Sequence, residues 1–341
     1  MRTLDDFRNP PPLTHLKRLT TREGLIQHAD LDVPDPSHGY SLDDNARALI
    51  ACLWHYDLYR DQSVLSLLEI YFSYLLKVEK EGGSFHNFLS FTERILDAEG
   101  SDDSIGRAIW ALGEMIRLCP DDEKRQQASE LIKRSNLSRH FDHPHLRTKA
   151  YVLLGLLAAD ETTEAKRWAD KLVATYLSQA TDDWPWFEDS LTYANGVLPY
   201  ALAQAFLVLK DDQYLKVAKR AFDWLDTVSR IGDQPAPIGQ AGWYAKGGAK
   251  AEYDQQPVDA AKMVLAATTL YQAAQDQKYL DKALEWMSWY DGHNSQQVAV
   301  IDPDTNGVFD AVTPSGVNKN QGAESIVTYL LAYLKLSAIK N

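Results

Sequence analysis

Carboxylates come in adjacent pairs where loops give way to helical patterning: Asp43 and Asp44, Asp102 and Asp103, Glu188 and Asp189. Glu252, Asp254 and Asp259 stand at a fifth such joint, and Asp310 and Glu324 at a sixth; the third carries His143, His145 and Arg147 instead. Two carboxyl groups do acid–base chemistry when their surroundings push their pKa values apart, so that one donates a proton while the other accepts. A structural role competes at every joint. Acids in a helix's first turn favour the macrodipole, and Ser41-x-x-Asp44 and Ser101-x-x-Ser104 are capping patterns. Caps alone, however, would be served by Ser, Thr or Asn without the repulsion of several acids sharing one space. The candidate catalytic groups are therefore Asp44 or Asp103, with Glu188 or Asp189 as the partner.

Aromatic residues accompany the acids. Tyr40 precedes Asp43, Trp184 and Trp186 precede Glu188, Tyr193 follows it, and Trp243 precedes Asp254. Aromatic faces beside carboxylates and amides suit a sugar, whose C–H face stacks while its hydroxyls hydrogen-bond. Trp184 and Trp243, beside Asp183 and Gly242, are expected to be the more exposed; Trp186 and Phe187 serve equally well as plugs of the core. Arg47 and Arg107 lie four residues after Asp43 and Asp103, a spacing that allows same-face ion pairs. Asp43, Arg47, Asp102, Asp254, Gln321 and Glu324 complete the expected set of hydroxyl-binding groups.

The bulk composition narrows the partners. A net charge of -13 opposes nucleic acid and anionic membranes, both of which need clustered Lys and Arg. The histidines show no H-E-x-x-H spacing, and His143-Pro144-His145 alone is a weak metal signature, so no metal and no cofactor are expected. There is no P-loop, GxGxxG or GxSxG. Cys52 and Cys119 make no disulfide framework and read as buried thiols of a reducing compartment. The first residues lack an apolar signal region, and no apolar run is long enough to span a bilayer. The expected location is the cytoplasm.

The elements that carry these groups repeat. Apolar residues at i, i+3, i+4 and i+7 mark helices starting near residues 43, 102, 146, 189, 257 and 322. More polar amphipathic helices are expected at 62–80, 123–135, 163–178, 213–229 and 278–291, with Leu13–Leu19 as the sixth. Strand-like alternation is confined to Val298–Ile301, and Asp32–Gly39 reads as a Pro- and Asp-rich loop. Six Ala-rich helices alternating with six polar ones predict an all-α fold, an (α/α)6 toroid over 13–341 with an extended arm at 1–12. An open solenoid is the alternative, but it wants a more regular period. A closed ring brings all six joints to one mouth.

His38-Gly-Tyr-Ser-Leu-Asp-Asp-Asn-Ala-Arg-Ala-Leu49, Trp184-Pro-Trp-Phe-Glu-Asp-Ser-Leu-Thr-Tyr193, Gln256-Pro-Val-Asp259 and Val317-Asn-Lys-Asn-Gln-Gly-Ala-Glu324-Ser resemble a bacterial domain of the six-hairpin glycosidase-like proteins, often attached to glycosyltransferases. The resemblance runs from about Gln27 to Leu336. It implies the same toroid, an oligosaccharide or glycoconjugate substrate and a possible glycosyltransferase partner. Ala194 stands where that pattern has Asp, and Gly196-Val197 replace a small residue and Arg. The resulting expectation is a glycoside hydrolase, inverting by resemblance; the alternatives are a non-catalytic glycan-binding module or a sugar lyase or epimerase. An epimerase would use His as acid and base, for which His28, His38, His143 and His145 are placed.

Overall fold

The computed structural model describes residues 2–339. In chain order the helices are α1 (Thr14–Leu19), α2 (Leu42–Tyr59), α3 (Leu65–Val78), α4 (Asp102–Leu118), α5 (Asp122–Arg134), α6 (Ser138–Phe141), α7 (Leu146–Ala158), α8 (Thr162–Gln179), α9 (Val197–Leu209), α10 (Asp212–Val228), α11 (Pro257–Ala274), α12 (Gln277–Ser288) and α13 (Ala323–Ser337). The inner ring runs α2, α4, α7, α9, α11, α13, each packed on the next, and α13 packs back on α2. Helices α3, α5, α8, α10 and α12 lie outside their inner partners, and the short α1 lies against α13. The expected (α/α)6 toroid is the fold observed.

Composition explains which helix lies where. In α11 every residue from Pro257 to Leu270 is buried, because an inner helix has neighbours on all sides. In α10 the buried set is Tyr214, Val217, Ala218, Ala221, Phe222, Leu225 and Asp226, a single stripe. Inner helices also need small contacts. A Cβ on Gly155 of α7 would stand 2.3 Å from the Ile109 carbonyl oxygen of α4, and one on Gly113 would stand 2.1 Å from the Gly155 carbonyl.

The two ends of the ring differ. At the C-terminal ends of α2, α9 and α11 the chain turns through Arg60, Lys210 and Gln275, all left-handed. The next residue in each case, Asp61, Asp211 or Asp276, accepts a backbone N–H two positions on and so starts the outer segment. These links are short. The long loops all sit at the N-terminal ends of the inner helices.

Three expectations change. Asp32–Gly39 is not a loop: strand β1 (Ile26–Asp30) pairs antiparallel with β2 (Val33–Ser41), which pairs in turn with Phe88–Leu89. The hairpin turns on Leu31 at φ 53°, a bulky residue where turn chemistry favours Gly or Asn, so the usual signal is missing. Val298–Ile301 forms only a single antiparallel bridge, Ile301 to Val308, and the late strands are Ala311–Thr313 with Gly316–Asn318. The fourth inner helix begins at Val197 rather than near 189. Ser190–Leu191 is held in a ladder with Tyr244–Ala245, and the chain turns through Ala194 at φ 49° before the helix starts. The expected arm contains a 3-10 turn, Leu4–Phe7, ahead of the proline run.

Candidate active site

Six long loops and six helix N-termini meet at one end of the ring. Two adjoining cavities of about 390 and 260 Å³ open there, sharing Asp43, Arg47, Gln240, Gln256, Val258 and Glu324 as common wall. The larger is completed by His28, Asp44, Asp254 and Asp310 among others, the smaller by Ser101, Asp103, Arg107 and Tyr193. Six carboxylates share this recess with Arg47, Arg107, His28, amides and hydroxyls, a set of groups that hydrogen-bond a polyhydroxylated ligand.

Asp44 is the central group. Ser41 caps α2 by accepting the Asp44 N–H, and its hydroxyl donates to Asp44 Oδ2 at 2.6 Å. Burial, opposed by Arg47 and reinforced by Glu324, pushes the Asp44 carboxyl up to about 6. Arg47, 2% exposed, spans two acids: Nη1 donates to Asp44 Oδ1 at 2.9 Å and Nη2 to Glu324 Oε1 at 2.8 Å. The Glu324 side chain keeps 45% of its surface exposed, in the first turn of α13. One guanidinium therefore sets the placement of a buried acid and an accessible carboxylate, both on the cavity wall.

The expected i, i+4 pair of Asp43 with Arg47 does not form. Asp43 takes Arg107 Nη1 of the next inner helix at 2.5 Å, because Arg47 turns to Asp44 and across to α13. Asp103 lies 3.7 Å from Arg107 and accepts from Thr148 Oγ1 at 2.8 Å and from the Tyr193 hydroxyl. Burial raises the Asp103 pKa, but Arg107 and these hydrogen bonds outweigh it and hold the carboxyl below its usual range. Asp103 is placed as an ionised group.

Glu188 and Asp189 line neither cavity. Glu188 is tied to Arg147 Nη1 at 2.9 Å, and Asp189 is exposed in the loop before Val197. Trp184 is buried against Trp224 and Tyr244, with its Nε1 donating to the Glu188 carbonyl at 2.7 Å, and Trp186 is wholly buried. Trp184 is thus a core residue instead of an exposed stacking face. Trp243 is partly exposed and lies 6.2 Å from the Tyr193 ring. Tyr40 is buried, its hydroxyl bonded to Thr21 at 2.9 Å, and Gln321 is buried on Asp302, Thr305 and His15. Asp102 faces His140, His143 and His145 and lines neither cavity.

Groups beyond the expected catalytic and hydroxyl-binding residues also converge, among them the joint acids Asp259 and Asp310 and the imidazole of His28. Gln256 Nε2 donates to Gln240 Oε1 at 2.8 Å, and both line each cavity. Asp310 is pushed up by burial, and the imidazole of His28 down by burial and by His38. Beneath the mouth, Asp259 is pushed up to about 7 by burial, although its carboxyl accepts the N–H groups of Ala194 and Asn195. Among the described residues the Lys262 amine has no hydrogen-bond partner, and it lies 5.1 and 5.4 Å from the Trp110 and Tyr151 rings. Burial, then Arg47 and Arg107, drive its pKa well below normal. Gln240 carried no sequence signal, since a lone amide in a loop looks like any other.

A further cavity, of about 540 Å³, occupies the opposite end of the ring, where Trp54, Trp110 and Tyr200 surround Glu114 and Arg117. Glu114 is already paired there with Arg117 at 2.6 Å. The joint carboxylates Asp43, Asp44, Asp103 and Glu324 line the cavities at the other mouth.

No protein-family model matches the chain, and no curated protein matches it by sequence. Solved structures do. A cellobiose 2-epimerase from Bacillus thermoamylovorans superposes with a TM-score of 0.78 at 13% identity, covering 99% of this chain and 98% of that one. A D-mannose isomerase gives 0.74 at 15% identity, over 99% and 95%. A family 76 glycoside hydrolase, a mannosidase from Bacteroides thetaiotaomicron, gives 0.67 at 11% identity, over 99% and 97%. At these identities the likeness establishes the fold, and the chemistry rests on the residues of the mouth.

Proposed function

We propose that this chain is a carbohydrate-active enzyme, a glycoside hydrolase whose acid and base are Asp44 and Glu324. The observation that carries the reading is Arg47, which holds a buried, proton-retaining Asp44 and an accessible Glu324 on its two Nη atoms. Asp44 donates its proton to the departing glycosidic oxygen. Glu324, held by Arg47 at 2.8 Å, takes a proton from water, which attacks the anomeric carbon. The water oxygen joins the sugar and the leaving group departs as an alcohol, so atoms and protons balance. Asp254, Gln240 and Gln256 bind hydroxyls, and Asp103 with Tyr193 walls the smaller cavity. This departs from an expected partner at Glu188 or Asp189, neither of which reaches the recess.

A second reading has its own support. His28 lies on the wall of the larger cavity with a depressed pKa, and an imidazole that is neutral near pH 7 takes a proton from a sugar carbon beside a reducing carbonyl. The structural likeness to an epimerase and an isomerase is consistent with that use of the same recess.

One experiment separates them. A panel of reducing mono- and disaccharides is incubated in D₂O and followed by NMR and mass spectrometry. Hydrolysis gives new reducing ends with the inverted anomer first, and is lost in Asp44→Asn and Glu324→Gln. Epimerisation or isomerisation leaves the bond intact and places deuterium on carbon, lost in His28→Ala. Binding without either change leaves a glycan-binding module.

A further inference from the structure

We propose that Asp102, His143 and His145 form a binding site for a divalent transition-metal ion of the Zn²⁺ class at the rim of the mouth. Asp102 is the first residue of α4, and the two histidines flank Pro144 in the loop between α6 and α7. Asp102 Oδ2 lies 2.8 Å from His143 Nδ1 and 3.6 Å from His145 Nε2, and the three donor atoms all fall within 4.8 Å of one another. Ligands at Zn²⁺ distances stand roughly 3.3 Å apart along the edges of a tetrahedron, so small rotations of two exposed imidazoles close the set. Hydrogen bonding accounts for only part of the cluster. His140 occupies Asp102 Oδ1 at 3.0 Å and His143 occupies Oδ2, which leaves His145 beyond hydrogen-bond reach of the same oxygen. A shared cation gives all three donors a partner.

The surroundings have the form of a ligand support. His140 is 4% exposed and fixes the carboxylate through its second oxygen, the role an outer-shell partner plays around a metal. The buried Lys149 ammonium donates to the His143 carbonyl and anchors the loop from behind. The side chains of His143 and His145 are 47% and 57% exposed, so the ion enters from solvent, and with three protein ligands a fourth position stays open to water. A carboxylate with two imidazoles selects Zn²⁺, Co²⁺ or Ni²⁺ over Mg²⁺ and Ca²⁺. Sequence spacing hid the site because Asp102 belongs to a different joint.

The test uses the full chain without an affinity tag, stripped with EDTA and then titrated with Co²⁺ by visible absorption and with Zn²⁺ by calorimetry. The expected result is one ion per chain. His143→Ala and His145→Ala each weaken binding at least tenfold, and His140→Gln weakens it roughly 10- to 100-fold. Circular dichroism confirms that each variant keeps its helices, and the two exposed histidines carry the test if Asp102→Asn does not fold. Equal Co²⁺ uptake by the wild type and the His143→Ala/His145→Ala double variant overturns the proposal. So does no uptake at 100-fold molar excess of Zn²⁺.

Discussion

Among single residues, Asp44 combines a folding role with the chemical one proposed for it. Its N–H is capped by Ser41 and its carboxyl shares Arg47 with Glu324, so ionisation is opposed by burial and by a neighbouring acid. A general acid works only while protonated. Turnover should therefore fall about tenfold per pH unit above about 6, and in Asp44→Asn the pH limb should vanish while activity drops by roughly 10²–10⁴. A pH–rate profile of both proteins checks this. Stability gives a second readout. The folded pKa lies above the 3.8 of a free Asp, so the contribution is fully present below that value and is lost as the pH rises to about 6. Urea unfolding should show Asp44→Asn gaining on the wild type by about 2 kcal/mol between pH 4 and pH 7. Asp44 and Glu324 were both legible as joint acids. Their sharing of Arg47 was not, because i, i+4 spacing pointed Arg47 at Asp43.

Among elements, helix periodicity was easy to read and loop chemistry was not. The start of α4 falls at the expected residue because the Ser101 cap and the apolar spacing coincide there, and α7 starts at Leu146 on its apolar spacing alone, with no side-chain cap at His145. The start of α9 is late because a cross-strand ladder and the turn at Ala194 hold Ser190–Gly196 out of the helix, a contact that local propensity does not contain. The same tertiary contacts give individual glycines their weight. Gly155 lets α7 approach the backbone of α4, and Gly155→Ala puts a methyl group 2.3 Å from the Ile109 carbonyl oxygen. Both backbones are helical and cannot yield locally. We expect a loss of about 1–3 kcal/mol in urea unfolding, with far-ultraviolet circular dichroism unchanged.

At the scale of the whole molecule, closure of the ring is what creates the mouth. The last inner helix must dock on the first, and the N-terminal residues cover that seam. Phe7 is 1% exposed and packs edge-on against Tyr333 of α13 at 4.9 Å, while the Tyr333 hydroxyl donates to the carbonyls of Asp6 and Asn9. Arg2 adds an ion pair to Asp291 at 2.6 Å. Phe7→Ala should cost about 3 kcal/mol. Hydrogen exchange should then accelerate first in α13 and at the N-terminus, where the seam opens; uniform acceleration around the ring would contradict a local closing role. The described residues contain no helix long and apolar enough to cross a membrane.

The twelve ring helices, their alternation between inner and outer and the toroid itself were legible in the chain, because burial on all sides and burial on one stripe leave different residue patterns; the short α6 was not. The gathering of acids at one mouth followed from that order. Tertiary structure decided which acids meet and which merely cap. Asp43 takes an arginine 64 residues away, Glu188 is spent on Arg147, and Trp184 is buried by Trp224 and Tyr244. Each of these outcomes is a choice among partners of the same type, made by distances and burial that exist only once the ring has closed.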